Sequence, residues 1–310
     1  MRVLVSGASG FIGRSLTAAL ESHRHEVVGA THRPPRAGEA GIDLDSRSLD
    51  TSRLPGGSLG QIDAVVHLAG APLLGRLSAR RRELIRSSRV TTGDVLARSV
   101  AALDLKPSVY VTQSAVGYYG DQGDRTLDES SPSGSGFLAG VCRAWEAAAR
   151  PAADAGIRVV AMRTGIVLGP GGGALRAQLP IFRLGLGGRL GSGQQLVSWI
   201  SLQDEVRAIR HVLDHPALEG PVNLTAPEPV TNEELAAALA AAVSARPPRL
   251  VVPELALRLA LGAPAADEML LSSQKVLPRR LLETGFDFLH RWIFEAIEAA
   301  LGRVPPPRRF

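Results

Sequence analysis

Short runs of Val, Ile and Leu alternate with longer helical patterns over the first half of the chain. The apolar runs lie at residues 3–5, 27–28, 64–68, 109–112 and 158–162. Between the first two runs, Ile12, Leu16 and Leu20 have helical spacing. Continuous apolar strands are typical of a parallel sheet that is covered on both faces. The pattern therefore predicts an α/β fold with a doubly wound parallel Rossmann sheet.

The sequence changes in character after about residue 168. Glycine-rich loops at 169–173 and 185–193 precede an Ala/Leu helix that runs from Asn232 to about Val243. Pro247 and Pro248 then break the pattern, because proline does not continue a helix. Two further short helices are predicted, at 253–261 and at 272–282.

These changes predict the domain organisation. We expect a nucleotide-binding Rossmann domain over residues 1–168, with its sheet completed by later segments. We expect a substrate and cap region over 169–310. Its last part, from about residue 247, is predicted to be a smaller, mostly helical C-terminal domain.

Composition and charge narrow the classes of partner. The 310 residues carry a formal net charge of +5, but Arg residues are interspersed with Asp and Glu, so we expect no nucleic-acid partner. The longest apolar run has nine residues, which is short of the ~18–20 that cross a bilayer. The first strand begins at residue 2, which predicts no signal peptide, no membrane partner and a cytoplasmic location. No Cys/His cluster is present, so no metal site is expected.

A glycine-rich turn joins the first strand to the first helix. Gly7, Gly10 and Gly13 have the spacing G-x-x-G-x-x-G at this turn. Such glycines permit a tight turn, close approach of a pyrophosphate and close packing of helix on strand, and the amide groups of the helix N-terminus bind phosphate. The alternative is a glycine-rich turn without a ligand. The predicted cofactor contacts here are Gly7, Ser9, Gly10, Phe11, Ile12 and Gly13.

The end of the second strand indicates which dinucleotide is bound. An NAD-binding protein usually places Asp or Glu about 20 residues past the last glycine, but no carboxylate lies between Val27 and Gly38. Thr31, His32 and Arg33 occupy this place instead, and Arg33 offers positive charge to a 2′-phosphate. NADP (NADPH) is therefore favoured over NAD, unless Arg33 is an ordinary loop arginine. Asp43 suits the adenine amino group or is a solvated loop residue.

The chain resembles the extended short-chain dehydrogenase/reductases. The resemblance rests on the Gly7 turn, on His67-Leu68-Ala69-Gly70 and on Ser114 after the strand at 109–112. Further segments resemble the atypical branch called "epimerase family protein" and its C-terminal domain of unknown function. These segments are Tyr118-Tyr119-Gly120, Trp145-Glu146, residues 163–169, residues 185–188, residues 270–278 and Gly285-Phe286.

The resemblance implies further cofactor contacts. They are Leu68, Ala69, Gly70, Arg89, Arg163 and Val167, although Arg89 is alternatively a solvated helix residue. The segment around Trp199 resembles one that precedes a helix near the substrate cleft, with Asp204 as a candidate N-cap.

The superfamily's catalytic Tyr-x-x-x-Lys pair is missing. Counting back from Glu146 puts the two positions at Leu138 and Cys142. Leucine transfers no proton and cysteine supplies no fixed positive charge, so alcohol oxidation by the superfamily mechanism is in doubt.

Three residues remain as catalytic candidates. Ser114 could orient a substrate oxygen, and Tyr118 or Tyr119 could supply a phenol, with packing as the alternative role of the tyrosines. Cys142 is either a reactive thiol or an inert core residue. His67 is either a base or a structural residue.

Two functions remain open. The first is an NADP-dependent oxidoreductase or epimerase-like enzyme that acts on an unknown small carbonyl or hydroxyl compound. The alternative is a non-catalytic NADP(H)-binding sensor or regulatory protein. We expect a monomer or a homodimer.

Overall fold

The computed structural model describes residues 1–73, 75–243 and 250–303. Sixteen strands occur in this part of the chain. They are β1 (Arg2–Ser6), β2 (Glu26–Thr31), β3 (Glu39–Asp43), β4 (Ser48–Asp50), β5 (Ala64–His67), β6 (Val109–Ala115), β7 (Thr126–Leu127), β8 (Arg158–Thr164), β9 (Ile166–Leu168), β10 (Gly188–Leu190), β11 (Leu196–Val197), β12 (Trp199–Ser201), β13 (Gly220–Leu224), β14 (Val230–Thr231), β15 (Leu250–Val252) and β16 (Lys275–Val276).

Eleven α-helices connect or follow these strands in the described residues. They are α1 (Phe11–Ser22), α2 (Ala79–Ala101), α3 (Phe137–Ala147), α4 (Arg150–Asp154), α5 (Gly173–Arg183), α6 (Leu202–Asp214), α7 (Asn232–Ala242), α8 (Glu254–Leu261), α9 (Ala263–Ala266), α10 (Arg279–Glu283) and α11 (Ile293–Ala300). Short 3₁₀ turns occur at Pro55–Gly57 and Val116–Tyr119, and Asp267–Leu271 forms a π-helical turn.

The central sheet has eight strands in the order β13-β8-β6-β5-β1-β2-β3-β4. All neighbours are parallel except β4, which runs antiparallel to β3 at one edge. The predicted doubly wound Rossmann sheet is confirmed. Chain order reverses between β1 and β5, and in such sheets the ligand lies at this switch point, beyond the carboxyl ends of the strands.

Both faces of the sheet are buried, because successive side chains of a strand point to opposite faces. Val3 and Val5 of β1 pack toward one face together with Leu16 of α1, whereas Leu4 packs toward the other face with Val95 of α2. These side chains are fully buried. The period of two along a strand explains why an uninterrupted apolar run produces two separate cores.

The later part of the chain builds a third core and several short strand pairs. Leu175 of α5, Leu239 of α7 and Ile297 of α11 pack together in it. The predicted helix at 272–282 is wrong in its first half. Lys275–Val276 is the strand β16, which pairs with β7, and a helix begins only at Arg279. Pro278, the N-cap of that helix, has no amide hydrogen to continue an earlier one.

Asp204 joins the sheet domain to the C-terminal segment. The predicted N-cap role of Asp204 is wrong, because the Ser201 side chain accepts the hydrogen bond from the Asp204 amide and is itself the cap. The buried Asp204 carboxylate accepts hydrogen bonds from the backbone amides of Leu289 and His290, both at 2.9 Å. Arg207 donates a further bond to it at 2.8 Å. This carboxylate therefore fixes residues 289–290 against α6.

Two sequence predictions concern the start of the C-terminal domain and membrane-spanning helices. The break at Pro247-Pro248, and with it the start of the predicted C-terminal domain, falls outside the described residues. Within the described ranges, no helix combines the length and the apolar character that a bilayer crossing requires.

Candidate nucleotide and substrate site

The glycine-rich turn is packed too closely for side chains. Gly7 has a positive φ of 76°, and a Cβ there would lie 2.9 Å from the Ala69 nitrogen. A Cβ on Gly13 would overlap the Gly7 carbonyl oxygen, and one on Gly10 would lie 3.0 Å from that oxygen. No side chain caps the N-terminus of α1. Backbone amides at the start of α1 are therefore offered to a ligand, as a pyrophosphate cradle requires.

The loop after β5 lies opposite this turn. The Leu68 amide donates to the Ser6 carbonyl at 3.0 Å, and the Ala71 amide donates to the Ser88 hydroxyl at 3.0 Å. A Cβ on Gly70 would lie 3.0 Å from the Arg89 guanidinium carbon. Leu68, Ala69 and Gly70 therefore line the switch point between β1 and β5, and their contact with the cofactor stays a prediction.

Basic side chains follow β2. Thr31 is the last residue of β2, and its hydroxyl accepts a hydrogen bond from the Arg33 amide at 3.1 Å. His32 and Arg33 are exposed. The Glu39 carboxylate accepts from the Arg36 amide at 2.9 Å and so orders the same loop. Positive charge is thus available at the end of β2, where the 2′-phosphate on the adenine-side ribose of NADP(H) would lie.

Asp43 lies at the end of β3 and closes a turn. Its carboxylate accepts hydrogen bonds from the amides of Asp45 and Ser46, at 2.9 and 3.1 Å. Hydrogen bonding to Ser46 and then to Asp45 lowers the pKa of Asp43. These bonds fit the alternative in which Asp43 is a solvated loop residue. A contact between Asp43 and the adenine amino group stays a prediction.

His67 is a structural residue. It is fully buried, and burial lowers its pKa to about 4. Its Nε2 donates to the Arg89 carbonyl at 3.3 Å, which leaves Nδ1 to accept from the Ser6 hydroxyl at 2.6 Å. The neutral ring therefore ties β1, β5 and α2 together, and the alternative of a catalytic base is not supported.

A charged network lies at the carboxyl ends of β6 and β8. Arg163 donates from Nε and Nη2 to the two oxygens of Glu146, at 2.9 and 3.0 Å. Ser114 donates to the same carboxylate at 2.7 Å. The Arg163 side chain is 4% exposed and that of Glu146 is 17% exposed. Burial opposes the charge, but the hydrogen bonds that Arg163 donates to Glu146 and Tyr119 raise the pKa of Arg163.

The strand that carries Ser114 is longer than predicted. The apolar run suggests a strand over 109–112 with Ser114 after it, but β6 continues to Ala115. The extra residues pair with β8 in register, with Ser114 opposite Arg163. Ser114 is consequently 1% exposed and lies within the strand rather than in the following loop.

The two adjacent tyrosines have different environments. The buried Tyr119 hydroxyl accepts from Arg163 Nη1 at 3.1 Å and donates to Asn223 Oδ1 at 2.7 Å. Burial raises the pKa of Tyr119 to about 12. The half-buried Tyr118 ring lies under the Arg163 guanidinium, whose carbon is 3.5 Å from the ring centroid. Tyr119 therefore belongs to the internal network, whereas Tyr118 does not share its hydroxyl contacts.

Helix α3 presents Leu138 and Cys142 to the same neighbour. A Cβ on Gly117 would lie 3.7 Å from Leu138 Cβ and 3.9 Å from Cys142 Sγ. Cys142 is buried, and burial raises the pKa of its thiol to about 11. A thiol of this kind stays protonated at neutral pH, which supports the inert core role of Cys142.

Arg89 brings a buried cation to the same place. Its guanidinium carbon lies 5.0 Å from the Trp145 ring centroid, and Nη2 donates to the Ala71 carbonyl at 2.9 Å. Burial lowers the pKa of Arg89 to about 10, and the charge of Arg89 in turn affects the pKa of Cys142. Arg89 thus remains charged at neutral pH beside the position of the missing lysine. It is not the solvated helix residue of the alternative interpretation.

The sequence patterns do not single out three residues that contact the site. Glu146 was quoted only as part of a motif, although it lies four residues after the buried Cys142 on the same side of α3. Asn223 of β13 and Glu268 gave no sequence signal. The Glu268 carboxylate accepts from the amides of Phe137 and Leu138, at 3.0 and 2.7 Å, and so caps α3 across 130 residues of sequence.

Fold and site together define an extended Rossmann protein with a dinucleotide cradle, in which Leu138 and Cys142 of α3 occupy the positions of the superfamily's Tyr and Lys. Residues 3–224 match the NAD dependent epimerase/dehydratase family, and residues 252–300 match a domain of unknown function, DUF1731. The chain belongs to this family, which confirms the resemblance drawn from the motifs.

The similarity to known relatives covers nearly all of the chain. The epimerase family protein of Mycobacterium bovis is 45% identical over 97% of this chain and 98% of its own length. The crystal structure of human epimerase family protein SDR39U1 (isoform 2) with NADPH is similar at a TM-score of 0.88 and 34% identity. It covers 98% of this chain and 100% of the human chain. A Corynebacterium glutamicum nucleoside-diphosphate sugar epimerase has a TM-score of 0.79 and 33% identity, over 97% of this chain and 58% of its own.

Proposed function

We propose that this chain binds NADP(H) and transfers hydride to or from a small carbonyl or hydroxyl compound, as an oxidoreductase or epimerase-like enzyme. The observation that carries the proposal is the cradle at Gly7 and Gly13, where a Cβ would meet backbone atoms. A turn this tight, at the switch point of the sheet, fits a pyrophosphate. The human relative crystallised with NADPH supports the same cofactor.

The residues that hold the cofactor follow from this placement. The turn and the start of α1 would bind the pyrophosphate, the loop after β5 would line the crevice beside it, and the segment after β8 would receive the nicotinamide end. The proposed contacts are Gly7, Ser9, Gly10, Phe11, Ile12, Gly13, Thr31, His32, Arg33, Asp43, Leu68, Ala69, Gly70, Arg89, Arg163 and Val167. The exposed Arg33 is proposed to bind the 2′-phosphate.

Ser114 and Tyr118 are the proposed catalytic residues. Because the Ser114 hydroxyl donates its proton to Glu146, its lone pairs are left to accept a hydrogen bond from a substrate hydroxyl. Tyr118 is preferred over Tyr119 as the phenol, because the Tyr119 hydroxyl already has two protein partners. The Arg163 charge against the Tyr118 ring would stabilise negative charge that develops on the phenol. When bound, NADP(H) supplies or accepts the hydride.

Arg89 is proposed to supply the positive charge that the missing lysine provides elsewhere in the superfamily. It is buried, it contacts the loop after β5, and its charge acts on the residue at the lysine position, Cys142. Its Nη1 donates only weakly, at 3.2 Å to the Ile85 carbonyl and at 3.5 Å to the Ser88 hydroxyl. The guanidinium is therefore suited to hold a ribose hydroxyl from α2 instead of from α3.

The second candidate is a non-catalytic NADP(H)-binding sensor or regulatory protein. Leu138 and Cys142 favour it, because neither residue transfers a proton or carries a charge at neutral pH. Both side chains lie against Gly117, at the site of the expected Tyr and Lys. In this case the cap would change its contacts with a partner when the nucleotide binds.

Turnover separates the two candidates. NADPH consumption and the conversion of each compound to product or epimer would be followed with a panel of carbonyl compounds and nucleotide sugars, for the wild type and for Ser114→Ala and Tyr118→Phe. Ser108→Ala, which lies just before the opposite end of β6, is the matched control. An oxidoreductase predicts stoichiometric consumption of NADPH, and an epimerase-like enzyme predicts an epimerised product without net consumption; both site variants should abolish either change and the control should keep it. Tight NADPH binding without turnover of any compound would favour the sensor.

A further inference from the structure

A buried polar cluster lies directly behind the proposed site. Gln113 precedes Ser114 in β6, Thr164 ends β8, and Glu205 lies in the first turn of α6. Glu205 is 0% exposed, and Gln113 and Thr164 are 8% and 5% exposed. The strands that carry Ser114 and Arg163 thus meet α6 through three polar side chains that are closed off from water.

The hydrogen bonds of the cluster fix the direction of each group. The Thr164 hydroxyl donates its single proton to Glu205 Oε1 at 3.0 Å. It must then accept from Gln113, whose Nε2 lies 2.6 Å away and also donates to the Ser114 carbonyl at 3.3 Å. Turning the Gln113 amide over would place its oxygen against that carbonyl, which is also an acceptor. The amide orientation is therefore determined.

This arrangement leaves two buried oxygens without a donor. Gln113 Oε1 and Glu205 Oε2 have no hydrogen-bond partner among the described residues. The Gln113 amide is close enough to affect the protonation of the Glu205 carboxyl. Buried polar atoms are almost always paired, but both of these oxygens are acceptors as long as Glu205 is ionised. One added proton would satisfy both oxygens.

We propose that Glu205 is a neutral carboxylic acid in the folded protein, that its Oε2–H donates to Gln113 Oε1, and that it acts as a positioning residue for Ser114. The proposal goes beyond the proposed function and holds whether or not the chain turns over a substrate. Through Gln113 Nε2, the closed cluster fixes the carbonyl of Ser114 and the end of β8.

The surroundings of Glu205 agree with a neutral group. Burial raises the pKa of Glu205 to about 8, although the hydrogen bond from Thr164 and the nearby Gln113 amide oppose this shift, and no charged residue contributes among those described. Charged residues on the neighbouring elements form ion pairs with each other. Asp204 and Arg207 pair with each other on α6, and Arg163 of β8 pairs with Glu146 of α3. Two consecutive residues, Asp204 and Glu205, therefore have opposite protonation states.

Infrared spectroscopy tests the protonation state directly. A neutral carboxylic acid has a carbonyl stretch that is separate from the carboxylate and amide bands, and labelled glutamate shifts it. We expect this band in the wild type at pH 7, its loss as the pH rises through about 8, and its absence in Glu205→Gln. Glu83→Gln, at an exposed residue of α2, is the control that keeps the band. A wild-type spectrum without the band at pH 7 would overturn the proposal, even if no Glu205 variant folds.

Stability against pH provides a second readout. Because the folded pKa of Glu205 is raised above its unfolded value, its contribution is fully present below the unfolded pKa and is lost as the pH rises through about 8. Relative to Glu205→Gln, the unfolding equilibrium constant of the wild type should increase about tenfold per pH unit between these values. Glutamine can donate and accept like the neutral acid, so this variant should fold, whereas Glu205→Ala should be destabilised at every pH. Parallel pH curves for the wild type and Glu205→Gln would contradict the proposal.

Discussion

Replacing Glu146 by alanine tests whether the charged network organises the site. The substitution removes the acceptor of three hydrogen bonds, two from Arg163 and one from Ser114. It leaves the Arg163 side chain 4% exposed and without its carboxylate. Breaking a buried ion pair costs about 3–5 kcal/mol. Glu146 is 17% exposed, so water replaces part of the interaction and we expect a loss of about 3 kcal/mol.

Thermal and chemical unfolding measure this loss. For a chain of 310 residues, about 3 kcal/mol corresponds to a decrease in Tm of about 5 °C. A double-mutant cycle with Arg163→Met isolates the pair, and the variant that combines Arg163→Met with Glu146→Leu should recover stability relative to Glu146→Ala, because no unpaired charge remains buried. A decrease of less than about 1 kcal/mol, or strictly additive single effects, would refute the reasoning.

The remaining predictions concern the turn, the thiol and the tyrosines. Gly13→Ala should remove NADPH binding measured by calorimetry, because the added Cβ would overlap the Gly7 carbonyl oxygen. The control Gly140→Ala, in α3, should bind NADPH like the wild type. NADPH binding by both variants would contradict the assignment of the Gly7 turn as the pyrophosphate site. Cys142 in the native protein should resist alkylation at pH 8, because burial raises its pKa to about 11, and labelling as fast as that of the unfolded chain would disprove this. Tyr119→Phe should lower stability by about 1–3 kcal/mol in urea titrations, since Asn223 loses its donor, and an unchanged midpoint would count against the network.

The architecture could be predicted because it depends on local patterns. The apolar run at 3–5 and the spacing of Leu16 and Leu20 are each read within a few residues, and they determine which faces are buried. The Gly7 turn is equally local, because its glycines are required by neighbouring backbone atoms.

The site depends on contacts that no local pattern specifies. Ser114 meets Glu146 across 32 residues, and Leu138 meets Glu268 across 130. These partners are brought together by the packing of α3 against β6 and by the docking of the C-terminal segment. The strand β16 was missed for the same reason, because its partner β7 lies far away in sequence and each strand has only two residues.

Calorimetric titration of the nucleotide-free protein with NADPH and with NADH tests the central claim most directly. We predict tighter binding of NADPH, and loss of most of that preference in Arg33→Ala. Removing a charge-assisted contact to the phosphate should weaken NADPH binding by about ten- to a hundredfold. Arg125→Ala, at another exposed arginine, should bind like the wild type. If neither NADPH nor NADH binds to the wild type, the assignment of the Gly7 turn as a dinucleotide site is contradicted.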